Sequence, residues 1–336
     1  MQGDKHKGAV LRSDAPAPSS AGTATPSAAI APPHAVPRKA QKLDLDPAMP
    51  AREACLAICR EVIQQAQDNA AVVLDGRNPE GVHQMRVALR RFRAALKVFR
   101  PVLADAWEPR LVEPTRVVAR GLGPAREWDV FLIEILPPVE QAFTGHDAVA
   151  ALRRTAEAQQ AAAYKTARQR VSGPAFSRLM KRSAVAFDWD EPAALVAEAQ
   201  LSVADLAEKV LVKRHKAVVK RGKNFAALGE AERHRVRLAA KALRYSVEFF
   251  APLYDKRAIK PYLGAVKALQ EELGALNDVA TLADQAAYVA KLRQTGRDAL
   301  MGMGMVMGWY VRERTDREPR LLEAWERFRG APPPWK

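Results

Sequence analysis

Apolar residues recur at helical spacing from about Ala48 to Arg329, where polar and charged positions separate them. Turn-forming residues interrupt the pattern at several points, among them "DGRNPEG" at 75–81, "SGP" at 172–174 and "DWDEP" at 188–192. Asn78 precedes Pro79 and Glu80, which makes it a candidate helix N-cap. Because β-branched residues are few while Ala, Leu, Arg, Lys and Glu abound, we predict an all-α fold.

The two ends of the chain lack this periodicity. Residues 1–46 are rich in Ala, Pro, Ser and Thr, which predicts a disordered tail. Residues 331–336 are predicted to form a short C-terminal tail. Between them, residues 47–330 are predicted to form one helical domain made of a first bundle at 47–190 and a second bundle at 191–330.

One basic phrase occurs twice in the domain, as "HQMRVALRRFR" at 83–93 and as "HRVRLAAKALR" at 234–244. An offset of 151 residues aligns the two copies and also pairs Phe99 with Phe250 and Arg116 with Lys267. One register that holds over about 45 positions indicates an internal duplication. Each half has room for about four helices, so we predict two antiparallel four-helix bundles related by pseudo-twofold symmetry.

Each copy of the phrase places its cations on one side of a helix, since offsets of 0, 3, 7 and 10 residues fall within about 80° of one another. Apolar side chains flank this stripe, which predicts that it lines a groove or a seam between helices rather than a solvated face. The first stripe contains His83, Arg86, Arg90, Arg93 and Lys97, and the second contains His234, Arg237, Lys241 and Arg244. The histidines either contact a ligand or only order the stripe.

The charge balance adds an anionic partner to this picture. The chain has 53 Lys and Arg against 38 Asp and Glu, a net charge of +15. This excess of positive charge favours an anionic partner, which could be nucleic acid, a different polymer of phosphate or a membrane surface. Glu127, Asp129 and Asp278 are too few to neutralise both stripes. A third basic run contributes Lys213 and Lys220, which either wall the same groove or lie on an exposed helix.

Other chemistry is poorly represented. Cys55 and Cys59 are spaced i, i+4 without a second pair, which excludes a zinc site and predicts core thiols of a reducing compartment. The run "MGMGMVMGWYV" at 301–311 is too short to span a bilayer, and its Gly302, Gly304 and Gly308 predict close helix packing. Nucleotide-loop, metalloprotease and serine-hydrolase motifs are absent, so we predict no cofactor and binding rather than catalysis.

Four motifs in order make the chain resemble the conserved histidine α-helical domain, or CHAD, family: "PEGVHQMRVALRRFRAALKVF" at 79–99, "LGPAREWDV" at 122–130, "HRVRLAAKALRY" at 234–245 and "LQEELGALNDV" at 269–279. The resemblance covers about residues 48–330. It implies two four-helix bundles with a basic central groove that binds inorganic polyphosphate, and it adds Arg126 to the groove residues. Two departures, Ala242 and Glu248, predict a less positive second wall.

The resemblance also implies a cytoplasmic protein found on polyphosphate granules. The E-x-E-x-K pattern of an accompanying triphosphatase domain is absent, which predicts a stand-alone binding module; a homodimer stays open. Three other functions remain as alternatives: a nucleic-acid binder, a phosphotransfer or hydrolytic enzyme, and a scaffold that makes its contacts through residues 1–45.

Overall fold

The computed structural model describes residues 35–188, 190–196, 201–293 and 295–335, with the side chains of 276–280 and 313–315 outside that description. Within these residues the chain forms eleven α-helices and no β-strand, which confirms the all-α fold. The helices are α1 (Ala51–Asp75), α2 (Pro79–Val98), α3 (Trp107–Gly121), α4 (Gly123–Val130), α5 (Leu136–Ala142), α6 (Asp147–Ser172), α7 (Pro174–Ala186), α8 (Val203–Arg221), α9 (Glu230–Phe250), α10 (Lys256–Lys291) and α11 (Arg297–Gly330).

The predicted break between α1 and α2 is confirmed, and local chemistry explains it. Helix α1 ends at Gly76, whose φ of 69° lies in the left-handed region that favours glycine. The Asn78 side chain then accepts a hydrogen bond of 3.0 Å from the backbone N–H of Glu80, and Pro79 occupies the first turn of α2. These residues fix where the first basic stripe begins.

The two halves have similar element bounds. Helix α2 at Pro79–Val98 corresponds, at the offset of 151 residues, to α9 at Glu230–Phe250, and each is followed by a 3-10 turn, at Arg100–Val102 and Ala251–Leu253. The first half holds more elements than the four predicted, because α4 and α5 are short segments joined by a π-helical turn and α7 is additional. The duplication itself stays a prediction.

Buried side chains of the two halves form one continuous hydrophobic core. Helix α6 packs along α11, α2 packs on α9, and α1 packs on α8. The buried thiols of Cys55 and Cys59 lie in this core on α1, with their Sγ atoms 3.9 Å apart, as core thiols were predicted to do. The close packing predicted for three glycines of α11 is confirmed at Gly302, where an added Cβ would lie 2.3 Å from the carbonyl oxygen of Ala148 on α6. At Gly304 and Gly308 an added Cβ would meet no atom within 4 Å, so the described chain does not pack closely there.

Both predicted tails need a correction where the structure describes them. The backbone N–H of Arg38 donates to Oδ1 of Asn69 at 3.2 Å, its guanidinium pairs with Asp68, and Leu45 is only 4% exposed. Residues 35–46 therefore pack on α1, whose polar side chains supply partners that composition does not reveal. At the other end, Trp335 is buried with its ring 4.9 Å from that of Tyr262, so the segment at 331–335 is anchored by an aromatic contact.

Among the residues that the structure describes, no helix is long and apolar enough to cross a membrane.

Candidate polyanion-binding site

The first stripe lies along α2 with its cations at the edge of the core. Met85, Leu89 and Phe92 are fully buried on one side of the helix, while Arg86 and Arg90 are partly exposed beside them. Long basic side chains can bury their stems in this way and keep the charged head accessible. Arg86 is held most firmly, since its Nη1 donates a hydrogen bond of 2.9 Å to the carbonyl oxygen of Ala119 on α3.

The second stripe has the same arrangement on α9. Val236 and Leu243 are fully buried, and Arg237, Lys241 and Arg244 lie beside them with partial exposure. Nε of Arg244 lies 3.3 Å from Oε1 of Glu248 one turn later. Glu248 thus compensates part of the positive charge of this stripe.

The two stripes converge because α2 and α9 pack against each other. The rings of Phe99 and Phe250 meet edge to face at 5.8 Å between centroids. Nη1 of Arg90 on α2 lies 3.5 Å from the hydroxyl of Tyr245 on α9, to which it donates a long hydrogen bond. The predicted cations of both copies therefore face a common region, which we call the α2–α9 cation cluster. Its members are Arg86, Arg90, Arg93, Arg237, Lys241 and Arg244.

Lys241 occupies the centre of the α2–α9 cation cluster. Burial lowers its pKa most, and the positive charges of Arg90, Arg237, Arg244 and Arg86 lower it further, to about 7. An ammonium that is surrounded by guanidinium groups from two helices loses its proton easily because the charged form is both desolvated and repelled. Among the side chains that the structure describes around Lys241, positive charges therefore outnumber negative ones.

The arginines of the cluster show the same surplus of positive charge. Burial and the charge of Arg90 lower the pKa of Arg86, while Glu127 opposes that effect. Burial, Arg116 and Arg90 lower the pKa of Arg93, which Glu113 opposes. The buried Nε atoms of Arg86 and Arg93 lack a hydrogen-bond acceptor within the described residues.

The two histidines differ in environment. His83 is half-buried, and its pKa is lowered chiefly by burial and by the nearby charge of Arg126. It is therefore neutral at pH 7. His234 is exposed near the start of α9. The two histidines are equivalent in the sequence pattern, whereas the structure gives only His83 a partly enclosed position next to cations.

Comparison with known proteins identifies the family. The sequence model of the CHAD domain matches residues 57–287, which include both stripes and the helices between them. This chain belongs to the CHAD domain family. The crystal structure of the CHAD domain from the plant Ricinus communis is similar with 29% sequence identity and a TM-score of 0.74, covering 89% of this chain and 99% of that chain.

PptA from Streptomyces chartreusis has a similar fold at 19% identity, with a TM-score of 0.63 and coverage of 82% of this chain and 99% of that chain. None of the curated proteins matches this chain.

The "LGPAREWDV" motif of this CHAD domain contains a cation, Arg126, and a buried carboxylate, Asp129, that joins two helices by hydrogen bonds. Arg126 is paired with the exposed Glu134 at 2.9 Å and lies close enough to His83 to lower its pKa. Asp129 is buried between α4 and α6, where it accepts hydrogen bonds from Gln160 at 2.8 Å and Tyr164 at 3.0 Å. Asp129 therefore does not neutralise the stripes, and the side chain of Asp278 lies outside the described residues.

Three lysines of the predicted site are more exposed to solvent than the members of the α2–α9 cation cluster. Lys97 is exposed at the last turn of α2. Lys213 and Lys220 are exposed on α8, and neither is among the cations that lower the pKa of Lys241. The structure does not join these two lysines to the α2–α9 cation cluster, so their role in a shared groove stays a prediction.

Sequence reasoning left two neighbours of the cluster out of the site. Arg116 on α3 is near enough to Arg93 to lower its pKa, and Tyr245 accepts the hydrogen bond from Arg90. Both had a signal in the sequence. Arg116 pairs with Lys267 at the repeat offset, and Tyr245 directly follows Arg244 in the second motif.

Other chemistry in the described part of the chain is limited. No group of three or more His, Cys, Asp and Glu side chains there is arranged to hold a metal ion. A cavity of about 560 Å³ lies between α6 and the segment that contains Leu292, Gly296 and Ala299, and no member of the cluster lines it. It contains Arg154 and Arg293 but none of the predicted site residues.

Proposed function

We propose that this CHAD domain binds inorganic polyphosphate at the α2–α9 cation cluster. The observation that carries the proposal is the position of Lys241, which has cations of both helices around it and a pKa of about 7. Such a site is costly in the free protein and becomes favourable when an anion replaces the lost hydration. A linear polyanion suits it because the cations come from two helices rather than from one compact pocket.

Arginine dominates the cluster, which fits phosphate chemistry. A guanidinium presents several N–H donors in a planar fork that matches two phosphate oxygens, and it stays charged at every physiological pH. The buried Nε atoms of Arg86 and Arg93 are donors without an acceptor in the described chain. We propose that Arg86, Arg90, Arg93 and Arg237 bridge successive phosphates, while Lys241 contributes a proton-dependent charge and Arg244 a charge that Glu248 partly offsets. The other predicted site residues, His83, Lys97, Arg126 and His234, lie at the periphery.

The binding test compares two charge-matched double variants. Arg90→Ala with Lys241→Ala removes two cluster cations, and Arg178→Ala with Lys181→Ala removes two exposed cations from α7. Titration calorimetry with polyphosphate of defined length is expected to show weaker binding and a shallower salt dependence only for the cluster variant. The log–log slope should change by about 0.7 for each phosphate that the variant no longer neutralises. Equal affinities of the two variants would reject the proposal.

Arg86 is a poorer choice for this test. Its hydrogen bond to the carbonyl oxygen of Ala119 joins α2 to α3, so its substitution removes a structural contact together with a positive charge. Arg90 makes its one described hydrogen bond, a long one, to Tyr245. A change of affinity at Arg90 is therefore easier to assign to the ligand.

Nucleic acid is the principal alternative ligand. Proteins that bind single strands without sequence preference usually stack bases on exposed aromatic rings. Phe92, Phe99 and Phe250 are fully buried, and Tyr245 is only 4% exposed, so these rings offer no stacking surface. We therefore expect polyphosphate to displace single-stranded RNA of equal charge at fixed salt, and the reverse order would favour a nucleic-acid binder.

We further propose that the domain binds polyphosphate without turning it over, and that it acts on granules in the cytoplasm. The cluster offers charge and hydrogen-bond donors, and its acidic neighbours Glu113, Glu127 and Glu248 each lie beside an arginine. In an assay with polyphosphate and Mg²⁺, the wild type should release orthophosphate no faster than the Arg90→Ala/Lys241→Ala variant. Release that depends on the cluster would show an enzyme instead.

A further inference from the structure

Helix α11 presents an apolar face to solvent. Between Asp298 and Arg312 the sequence "ALMGMGMVMGWYV" has no charged residue, and Leu300, Met301 and Val311 are 42%, 49% and 52% exposed. Trp309 is 38% exposed, and its ring lies 6.5 Å from that of Phe143 at the end of α5. Several large apolar side chains exposed along one helix are typical of an interaction surface.

The backbone of α11 is accessible within this patch. A Cβ added at Gly304 or Gly308 would meet no atom within 4 Å, whereas one at Gly302 would clash with α6. Of these three glycines of α11, only Gly302 is therefore required by packing within the described chain. Glycine lowers the stability of a helix interior, and at Gly304 and Gly308 it lets another helix approach closely.

The charges at the two ends of the patch are self-complementary. Asp298, Met301, Met305, Gly308 and Arg312 follow one another at intervals of three and four residues, so they lie on one side of α11. If a second α11 crosses antiparallel about Met305, Asp298 of each copy faces Arg312 of the other, and Met301 faces Trp309. Neither Asp298 nor Arg312 has an ion-pair partner within the described residues.

We propose that the apolar face of α11 binds a second copy of this chain in an antiparallel, isologous contact. A twofold contact requires a surface that complements itself, and the opposite charges at its two ends meet that requirement. A lipid surface is the less suitable occupant, because the face carries acidic Asp298 at its rim, where an anionic membrane favours cations. The contact lies on α11, outside the α2–α9 cation cluster, so the proposal does not rest on the ligand of that cluster.

The first test is the mass of the full chain by light scattering, measured with Gly308→Leu and its control Gly304→Ala. The wild type at about 50 µM, a concentration that populates micromolar dimers, should have twice the chain mass of 36.9 kDa. Gly308→Leu fills the space that the second helix needs, and its mass should fall twofold. Because the position is open in the single chain, the variant should keep the helical circular dichroism spectrum of the wild type. The smaller Cβ of Gly304→Ala should weaken the dimer less.

The second test reverses charges. Arg312→Asp should dissociate the dimer, because two carboxylates then face each other, and adding Asp298→Arg should restore it by exchanging the partners. Restored mass in the double variant would establish the antiparallel register. The proposal is overturned by a wild type that is monomeric at about 50 µM, by a dimer that Gly308→Leu leaves intact, or by binding of anionic vesicles through α11 in place of self-association.

Discussion

Arg90 and Tyr245 join the two basic helices, with Nη1 of the arginine 3.5 Å from the tyrosine hydroxyl. The guanidinium carbon of Arg244 also lies over the tyrosine ring, 5.4 Å from the centroid of that ring. Tyr245 therefore positions one arginine of each stripe. Its polar group orients Arg90 and its ring supports Arg244, so the two effects can be separated by substitution.

The variant Tyr245→Phe tests the first of these effects. It keeps the ring below Arg244 and removes the acceptor for Arg90, so the orientation of Arg90 should loosen while the fold is retained. We expect polyphosphate affinity to fall by roughly 2–10-fold, the range of one ordinary hydrogen bond. Calorimetric titration measures this change. Arg90→Ala should have a larger effect than Tyr245→Phe, and the opposite order would place Arg90 outside the binding site.

Lys241 predicts a pH-dependent affinity. Its pKa is about 7 in the free protein because of burial and the charges around it, and a bound polyanion should raise that pKa by favouring the charged form. Binding is then strongest below pH 7 and weakens as the pH rises through the free-protein value. Titrations at about pH 8 should show proton uptake, seen as a binding enthalpy that varies with the ionisation enthalpy of the buffer.

The control for this prediction is Lys241→Arg, because arginine stays charged over the whole range. It should flatten the affinity profile between about pH 8 and pH 6.5 and abolish the proton uptake at about pH 8. Any pH dependence that remains at lower pH would come from groups other than Lys241, such as His83, whose pKa is lowered by burial and by Arg126. Unchanged proton uptake in Lys241→Arg would contradict the assignment to Lys241.

The same lysine predicts a conflict between stability and binding. Its folded-state pKa is below that of the unfolded chain, so the unfolded chain binds more protons and the free energy of unfolding rises with pH from about 7 to 10.5. Lys241→Met should raise the midpoint of thermal unfolding at pH 6 by about 1–3 °C while it weakens polyphosphate binding. A lower midpoint would mean that the lysine is stabilised by contacts in the free protein.

Glu248 is the residue that makes the second stripe less positive. It pairs with Arg244 at 3.3 Å and occupies the position that corresponds to Lys97 at the repeat offset. Glu248→Lys should tighten polyphosphate binding and steepen its salt dependence by about 0.7 for each additional phosphate neutralised. The reciprocal variant Lys97→Glu should have the opposite effect. If neither variant changes the salt dependence, the ligand does not reach this end of the helices.

Periodicity in the sequence predicted the all-α class and both stripes, because spacing along one helix determines which residues share a side, but it did not predict the number of helices in the first half. It could not predict that Lys241 has Arg90 as a neighbour, since that depends on how α2 packs on α9. For the same reason the sequence leaves open whether Lys213 and Lys220 line the groove. A basic run at helical spacing has the same pattern whether it faces a groove or bulk water.

Composition was a weaker guide than periodicity at the chain ends. The Pro-rich segment before Ala51 has no helical pattern, yet Arg38 bonds to Asp68 and Asn69 on α1 and Leu45 is buried in the core. An extended segment that pairs with a helix through scattered contacts leaves no periodic signal. The same is true of Trp335, a single aromatic residue that follows three prolines.

The contacts of residues 35–46 give the last prediction, which concerns the N-terminal alternative. Leu45 is 4% exposed within the core, so Leu45→Ala should lower the free energy of unfolding by about 2–3 kcal/mol. Urea denaturation measures that change. Removing residues 1–34 leaves Leu45 and the Arg38–Asn69 hydrogen bond in place, and we expect polyphosphate affinity to stay at the full-length value. If this deletion abolished binding while the domain stayed folded, the N-terminal segment and not the α2–α9 cation cluster would bind polyphosphate.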